Sequence, residues 1–492
     1  MPGVVISTAV RTGPSNTTVR NSSQLFAAGI TERGPVGSAV LVQSLEEFQT
    51  YFGGFVSYGL LQPTVQTFFE EGGTRAYVSR IVGQDAAAGY KNLKDGSNDD
   101  TIALEAVGAG AWSSNLEVQV VDTSATVAGS VAIKLWYNGD LILNTGPQTT
   151  VAALVNEVNT GENSAPLVYA SDMASASENP LPAVLARVAF SAGDDDLSGT
   201  LDYEGALATF DDAKGDGSVS IPDSSSYAVQ EMLVEHARIN NRIAILHSAS
   251  TQIATGDDSA VSDAAAIAAL DGAANAVYLF PWVYIPTDVS GVNRMIPADG
   301  YFAAKRALAH NQTGPHQPAA GILSKARFVN GVATAIDAAT NDVLDAASVN
   351  AIRVISNSVR IYGARSCSSD AKNFRYYTAQ DVINTVVVQA HTQLDDLLFS
   401  VINGRTTVFA DVESRLISLL ERLRVIGAFY EAYDANGAKM DVGYTVKCNT
   451  QNNPVAQLAT GVIKAEVGLR VSSVGDKINV TIIKSNLTTS VV

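Results

Sequence analysis

Only two of the 492 residues are cysteine, Cys367 and Cys448. Two thiols cannot build a disulfide framework or a four-ligand zinc site. The expectation is a chain made and folded in a cytoplasm. Charge is also scarce: 16% of residues are charged, against roughly 25% in an ordinary soluble domain. Cations are the scarcer sign, and the net charge is −17. Such a field repels phosphate and argues against wrapping DNA or RNA. No apolar run reaches the roughly 18 residues a membrane span needs. The opening MPGVVISTAVRTG has no long apolar stretch, so no signal peptide is expected. Catalytic signatures are missing as well. There is no Walker A loop, no H-E-x-x-H and no G-x-S-x-G elbow.

What is present is a normal apolar fraction, 46%, on a chain long enough for about three domains. Low charge without a disorder-like composition suggests a surface hidden against partners. Residues 1–22 are polar and extended in character. From Gln24 the order is strand (LFAAGI), strand (AVLV), helix, helix (LLQPTVQTFFEEGG) and strand (AYVSRIV), an α/β signature. Ser44, with Glu47 three residues on, is a candidate N-cap. Residues 90–185 read as an all-β insert of short runs, with YNGD at 137–140 as a hairpin turn. From 186 the α/β alternation returns, starting with ARVAFSAG and including AVYLFPWVYI (276–285) as one buried strand. Two long helices are expected near 378–402 and 411–433. The first opens on Thr378 and Asp381 as a capping box. The second carries Val412, Leu416, Leu419, Leu420, Leu423 and Ile426 on one face. The strands YTVKCN, GVIKAEVGLRV and KINVTIIK close the chain.

Candidate chemistry is sparse. His310 and His316 fall together in HNQTGPH, read as a loop of solvated histidines, with a metal site as the alternative. Asp194-Asp195-Asp196 imitates the start of a calcium loop, but Gly205 stands where a bidentate glutamate is required. An acidic turn is the plainer reading. Trp112, Trp136 and Trp282 lie on strand-like segments and read as core. No catalytic constellation, cofactor site or metal site emerges.

Seven segments in order resemble the tail sheath proteins of contractile bacteriophages and related contractile injection machines. They are MPGVVIS; TERGPVGSAVLVQSLEEFQTYFGG; FFEEGGTRAYVSRIVG; GAGAWSSNLEVQVV; AFSAGDDD with SVSIPD; VNAIRVISNSVRIYGARSCSSD; and YTVKCNTQNNP. The resemblance runs from residue 1 to about 483. It departs from the family where Asp381 and Asn384 replace paired arginines, Asn357-Ser358 replaces Pro-Gly, and Tyr362 replaces Trp.

The resemblance implies an α/β multidomain fold. Its parts are an N-terminal arm (1–22), an α/β segment (23–89), a β-sandwich insert (90–185) and a subtilisin-like α/β domain without a catalytic triad (186–365). A C-terminal α+β sheath domain (366–474) and a C-terminal arm strand (475–492) complete it. It implies a non-enzymatic subunit of a helical homo-oligomer that surrounds an inner tail tube and meets baseplate and terminator proteins. It implies no cofactor, and a place in a virion tail assembled in a bacterial cytoplasm. Val4 and Ile6 in one arm, and Ile478, Val480 and Ile482 in the other, are expected to add strands to neighbouring subunits. Arg415 and Arg422, seven apart on one helical face, are candidates to face the tube; a solvated face is the plain alternative. Cys367, in the Ser-rich ARSCSSD, which reads as an exposed loop, and Cys448 are either independent buried thiols or a pair formed after release from the cell. Two other functions compete: a serine hydrolase on the same α/β scaffold, and a surface-array protein. The missing triad counts against the first, and cytosolic cysteine usage against the second.

Overall fold

A computed structural model describes residues 22–161, 167–403 and 406–476. Val4, Ile6, Ile478, Val480 and Ile482 lie outside the described residues. The chain is a mixed α/β molecule with several sheets. Its centre is an eight-stranded sheet in the order 358–361, 349–355, 276–280, 243–247, 218–220, 25–29, 76–80, 40–42. The six inner strands pair in parallel, and the two edge strands are antiparallel.

Side chains alternate across this sheet as the strand period requires. Leu25, Ala27, Ile243 and Ile245 face the helices Leu45–Phe52, Leu61–Glu70 and Asp299–Gln312. Phe26, Ala28, Ala244 and Leu246 face Tyr203–Ala208, Tyr227–Ile239, Ala260–Ile267 and Ala338–Ala346. A sheet covered on both faces reads as continuous apolar runs, as these strands do. Ser44 does cap its helix: its hydroxyl accepts from Glu47 N, while Glu47 reaches back to Gln43 N.

The insert packs two antiparallel sheets, of four and three strands, on one core. At its tip Asn138 and Gly139 both have positive φ, as a two-residue hairpin turn of NG type demands. Two expectations change here. The strand Leu185–Ala189 pairs with Leu116–Asp122 and belongs to the insert's four-stranded sheet, so the α/β layer resumes later than 186. The insert also holds a helix, Val151–Thr160, capped by Thr150, which buries Val151, Leu154 and Val158 at helical spacing.

The expected strand 276–285 is two strands in different sheets. The first, Ala276–Phe280, lies in the main sheet; Val283–Pro286 pairs with Asn293–Ile296 and Gly331–Val332. Pro281 between them has no N–H for the ladder.

The C-terminal helices are shorter than expected, Tyr377–Leu394 and Thr407–Val425. Gly427 ends the second. Its φ of +87° lets its N–H bond Arg424 O, while Ala428 N bonds Leu423 O, a Schellman stop. Ile426 therefore sits past the helix and is 41% exposed, whereas Leu416, Leu419, Leu420 and Leu423 are buried. Tyr444–Lys447 and Glu466–Leu469 pair antiparallel beside these helices. Among the described residues no helix is long and apolar enough to cross a membrane.

Candidate functional site

In a doubly covered α/β sheet, ligands bind beyond the carboxyl ends of the strands, where the strand order switches direction. Here the switch lies between the 25–29 and 218–220 strands. From 25–29 the chain moves out to 76–80 and returns to 218–220 on the other side. That position is filled by the protein itself. The Asp223 carboxylate accepts from Ile30 N at 2.7 Å and from Leu60 N at the start of the 61–70 helix. It occupies the place an anionic ligand would take at a helix N-terminus. Burial pushes its carboxyl up to about 6, against the backbone bonds that favour the charge. A Cβ on Gly29 would stand 2.3 Å from Asp223 Oδ2 and 2.9 Å from Leu61 Cβ.

Next to it the fold gathers a serine, a histidine and an aspartate. Ser220 Oγ donates to Asp299 Oδ2 at 2.6 Å, and His247 Nδ1 lies 3.1 Å from the same carboxylate. The three are 0%, 3% and 0% exposed. The order of contacts is wrong for a nucleophile. In a triad the imidazole stands between serine and carboxylate; here the carboxylate stands between the other two. His247 Nε2 has no hydrogen-bond partner and sits 5.8 Å, ring to ring, from Trp282. This is a core polar cluster at the strand ends.

Part of the remaining buried charge lies at the joints between parts. Arg80, closing its strand, donates to Gly34 O and Ala109 O and pairs with Asp195, tying the sheet to the root of the insert. The acidic turn is thus a socket for an arginine. Among the described residues no acidic or His/Cys cluster is arranged to hold a metal. Glu71, fully buried, binds Lys305 Nζ at 2.7 Å and caps the backbone N–H groups of Arg327, Phe328 and Val329.

His310 is in no loop. It lies on the 299–312 helix, buried, with Nε2 3.2 Å from Asp381 and Nδ1 2.9 Å from Ser22 Oγ. Burial, with the neighbouring Arg306 charge, pulls its imidazole down, while Asp381 pulls the other way. Asp381 does not cap its helix; Tyr376 holds the N-cap position without a side-chain bond. Asp381 instead forks with Arg306. Burial alone would raise the Asp381 carboxyl, but Arg306 and His310 outweigh it and hold it below the usual range. One turn on, Asn384 donates to Arg242 O and Thr385 to Asp216. The face of the 377–394 helix carrying Asp381, Asn384 and Thr385 is therefore the joint with the α/β layer.

Arg415 is half-exposed. It donates to Gln393 O on the neighbouring helix and lies 3.6 Å from Asp396 in the turn that follows it. Arg422 is exposed. Both cysteines are free. Cys367 is 0% exposed, its N–H bonded to Ala276 O beside the main sheet, and burial pushes its thiol up to about 12. The expectation of an exposed loop there is wrong: the segment crosses the ends of the central strands, and the serines around it bond backbone. Cys448 is 1% exposed among Val408, Phe409, Val412 and Leu416.

No family model matches the chain, and no curated protein matches it by sequence. Solved structures do. A sheath tail protein from Listeria innocua aligns with TM-score 0.60 at 11% identity, over 88% of this chain and 89% of that one. The helical sheath of the anti-feeding prophage in its contracted state aligns with TM-score 0.56 at 13% identity, over 99% of each chain. The chain has the sheath-protein fold. A chain of the anti-feeding prophage baseplate aligns with TM-score 0.54 at 13% identity, again over 99% of each.

Proposed function

We propose that the chain is a structural subunit of a contractile tail sheath. It polymerises as a helical tube around an inner tail tube, meeting baseplate and terminator proteins at the ends. Contraction is a rigid-body rearrangement of subunits between two packings. It drives the tube through a target envelope. The observation that carries this is the end-to-end match to sheath chains, covering the insert and the C-terminal domain as well as the α/β layer. The plugged crevice and the disordered order of contacts around Asp299 support a non-enzymatic role, and give a serine hydrolase or a surface array no additional support. The parallel layer fits a subtilisin-like topology kept without its chemistry. Low charge and net acidity fit a protein buried among copies of itself.

The arms complete the reading. Val4 and Ile6, with Ile478, Val480 and Ile482, extend sheets in neighbouring subunits, and the 444–447/466–469 ladder is the receiving sheet. Such open, head-to-tail contacts build a helix because the rotation does not close. Arg415 and Arg422 face the tube in the extended state.

Negative-stain images of the purified protein test the whole. Striated tubes or stacked rings are expected, and monodisperse globules at every concentration would overturn it. Deleting residues 1–20 leaves a folded monomer that makes no tubes; normal tubes would refute the arm assignment. Arg415→Glu with Arg422→Glu blocks extended assembly on the tube and spares contracted sheath. Unimpaired extended tails would remove the two arginines from the tube face.

A further inference from the structure

The segment 321–327 is a pinned edge of the α/β layer. Ser324 is buried there; its hydroxyl donates to Gly321 O at 2.9 Å and accepts from Ile361 N at 3.0 Å, and Tyr301 donates to its carbonyl. Glu71 fixes the residues that follow through the backbone N–H groups of Arg327, Phe328 and Val329. This held backbone turns apolar and cationic side chains outward. Ile322 is 68% exposed, Leu323 is exposed beside it, and so are Lys325 and Arg327. With Leu308 of the 299–312 helix they line a cavity of about 450 Å³. Among the described residues Lys325 and Arg327 pair with no carboxylate, whereas the buried Lys305 pairs with Glu71. A second groove, between 371–379 and 469–473, also carries cations. There Arg375 and Arg470 already face Asp476 and Asp441.

The complement to the first cavity lies on the same chain, past the far end of the 377–394 helix. Leu394 and Leu397 pack with Phe409, Val412 and Cys448, which fixes the turn at 395–397. Leu398, Phe399 and Val401 are left outside; Phe399 is 103% and Val401 79% exposed. Phe399 also has a φ of +63°, a left-handed backbone that a bulky residue rarely adopts. An aromatic held in that conformation with its ring in water points to a partner. Two carboxylates stand just before it. Asp395 is exposed, and Asp396, 3.6 Å from Arg415, keeps 82% of its side chain exposed.

The turn cannot enter the cavity of its own chain. The 377–394 helix is seated on the α/β layer at Asp381 and runs on to Leu394, which carries the turn about 20 Å beyond that joint. We propose that the turn 395–401 of one copy docks in the 322–327 cavity of a second copy. Phe399 enters beside Ile322, Leu323 and Leu308, and Asp395 and Asp396 meet Lys325 and Arg327. Charge complementarity selects this occupant: the free cations of the cavity match the free acids of the turn, in a chain whose net charge is −17. An apolar projection that fits a pocket elsewhere on the same molecule makes a head-to-tail contact, and such contacts propagate when the rotation does not close. That the joined copies form a sheath rests on the reading above; the docking of copy on copy is tested apart from it.

Cross-linking of the full-length chain gives the test. One copy carries Ser400→Cys, and a second, made heavier by a tag, carries Gln312→Cys, an exposed position that lines the cavity. The native thiols are buried. The two are mixed over a range of concentrations and treated with a short bis-maleimide. A mixed dimer is expected. Adding Phe399→Ser to the Ser400→Cys copy should lower its yield roughly tenfold, as the loss of a buried aromatic anchor does. Both serine positions are exposed, so folding is not at stake. Lys325→Glu with Arg327→Glu on the tagged copy should lower the yield as well. Asp395→Lys with Asp396→Lys on the other copy should then restore it, which a variant that had merely misfolded could not do.

No mixed dimer at any concentration would overturn the proposal. So would Ser400→Cys homodimers in its place, a yield indifferent to Phe399→Ser, or a charge reversal that the opposite reversal does not restore. In whole particles, linking of Ser400→Cys to the inner tube protein instead of to a second copy would overturn it too. Negative-stain images of the same mixtures keep the two readings apart. Tubes without the mixed dimer leave the sheath reading standing and remove the docking. A mixed dimer that passes the Phe399 and charge-swap tests, in a protein that makes no tubes, supports the docking and removes the sheath.

Discussion

Asp216 offers a clean measurement of what buried charge costs at the joint between the α/β layer and the C-terminal domain. It is 4% exposed, just before the 218–220 strand, and Thr385 Oγ1 donates to it at 3.3 Å from the 377–394 helix. Burial pushes its carboxyl from 3.8 up to about 6; the Arg306 charge holds it back from going higher. The unfolded chain therefore ionises this group near pH 4 and the folded chain near pH 6. Between those values folding takes up a proton, so this group's contribution to stability falls as pH rises through the window and is level above it. The gap corresponds to roughly 3 kcal/mol. Asp216→Asn keeps the size and an oxygen for the Thr385 hydroxyl, and never ionises. The stability difference, Asn minus wild type, should be near zero at pH 4 and grow to about 3 kcal/mol in favour of Asn by pH 7.5. Urea unfolding of the monomer, followed by intrinsic fluorescence at several pH values, gives it. A difference flat with pH, or a less stable Asn variant at pH 7.5, would refute the reasoning.

Two further expectations concern the core and the thiols. Glu71→Gln leaves the Lys305 ammonium without its counter-charge in the interior, a loss of roughly 3–5 kcal/mol. Adding Lys305→Met should recover at least half in the same unfolding assay, and a single variant within 0.5 kcal/mol of wild type, by the scale of a neutral surface change, would contradict the geometry. Native monomer should react with no thiol reagent within an hour, and unfolded protein with two equivalents. A non-reducing gel of assembled particles should show one monomer band, because both Cys367 and Cys448 are buried within their own chain; a ladder of multimers would show that assembly exposes one of them.

Much of this fold is legible in the sequence, and the failures have physical causes. The alternating apolar runs, the Ser44 cap and the Asn138-Gly139 turn rely on neighbours within a few residues, so the local pattern suffices. The stop at Gly427 is equally local, but the apolar stripe that runs up to Ile426 invites an extension past it to 433. The 276–285 run misled because apolar character persists across Pro281 while the hydrogen-bond ladder does not. The polar interior was not legible. Arg80, His310 and Asp381 find partners 115, 71 and 75 residues away, and no spacing rule reaches that far. The one hint was a charged residue inside a strand run, as in AYVSRIV. Asp381 and Asn384 stood out only as departures from the family's paired arginines. They mark the joint, with the cation supplied across it by Arg306.

That two of the buried ion pairs, Arg80–Asp195 and Arg306–Asp381, sit at joints leads to a last expectation. A buried pair is often no more stabilising than apolar side chains of like size, yet it allows few geometries. Arg80 shows the pattern best. It joins the sheet to the insert through Gly34 O, Ala109 O and Asp195, with 1% of its side chain exposed. Arg80→Met alone strands Asp195 and should cost roughly 3–5 kcal/mol. Arg80→Met with Asp195→Leu restores apolar contact and should recover most of that, while losing the fixed angle between insert and sheet. Spin labels at Ser124→Cys in the insert and Ser250→Cys in the α/β layer report that angle. Both positions are exposed, and the native thiols are buried and silent. Wild type should give one narrow distance distribution. The double Met/Leu variant should give a clearly broader one at near wild-type stability. An equally narrow distribution would mean that Tyr137, whose hydroxyl donates to Glu32 at 2.9 Å and whose ring lies under Arg33, already fixes the insert without Arg80.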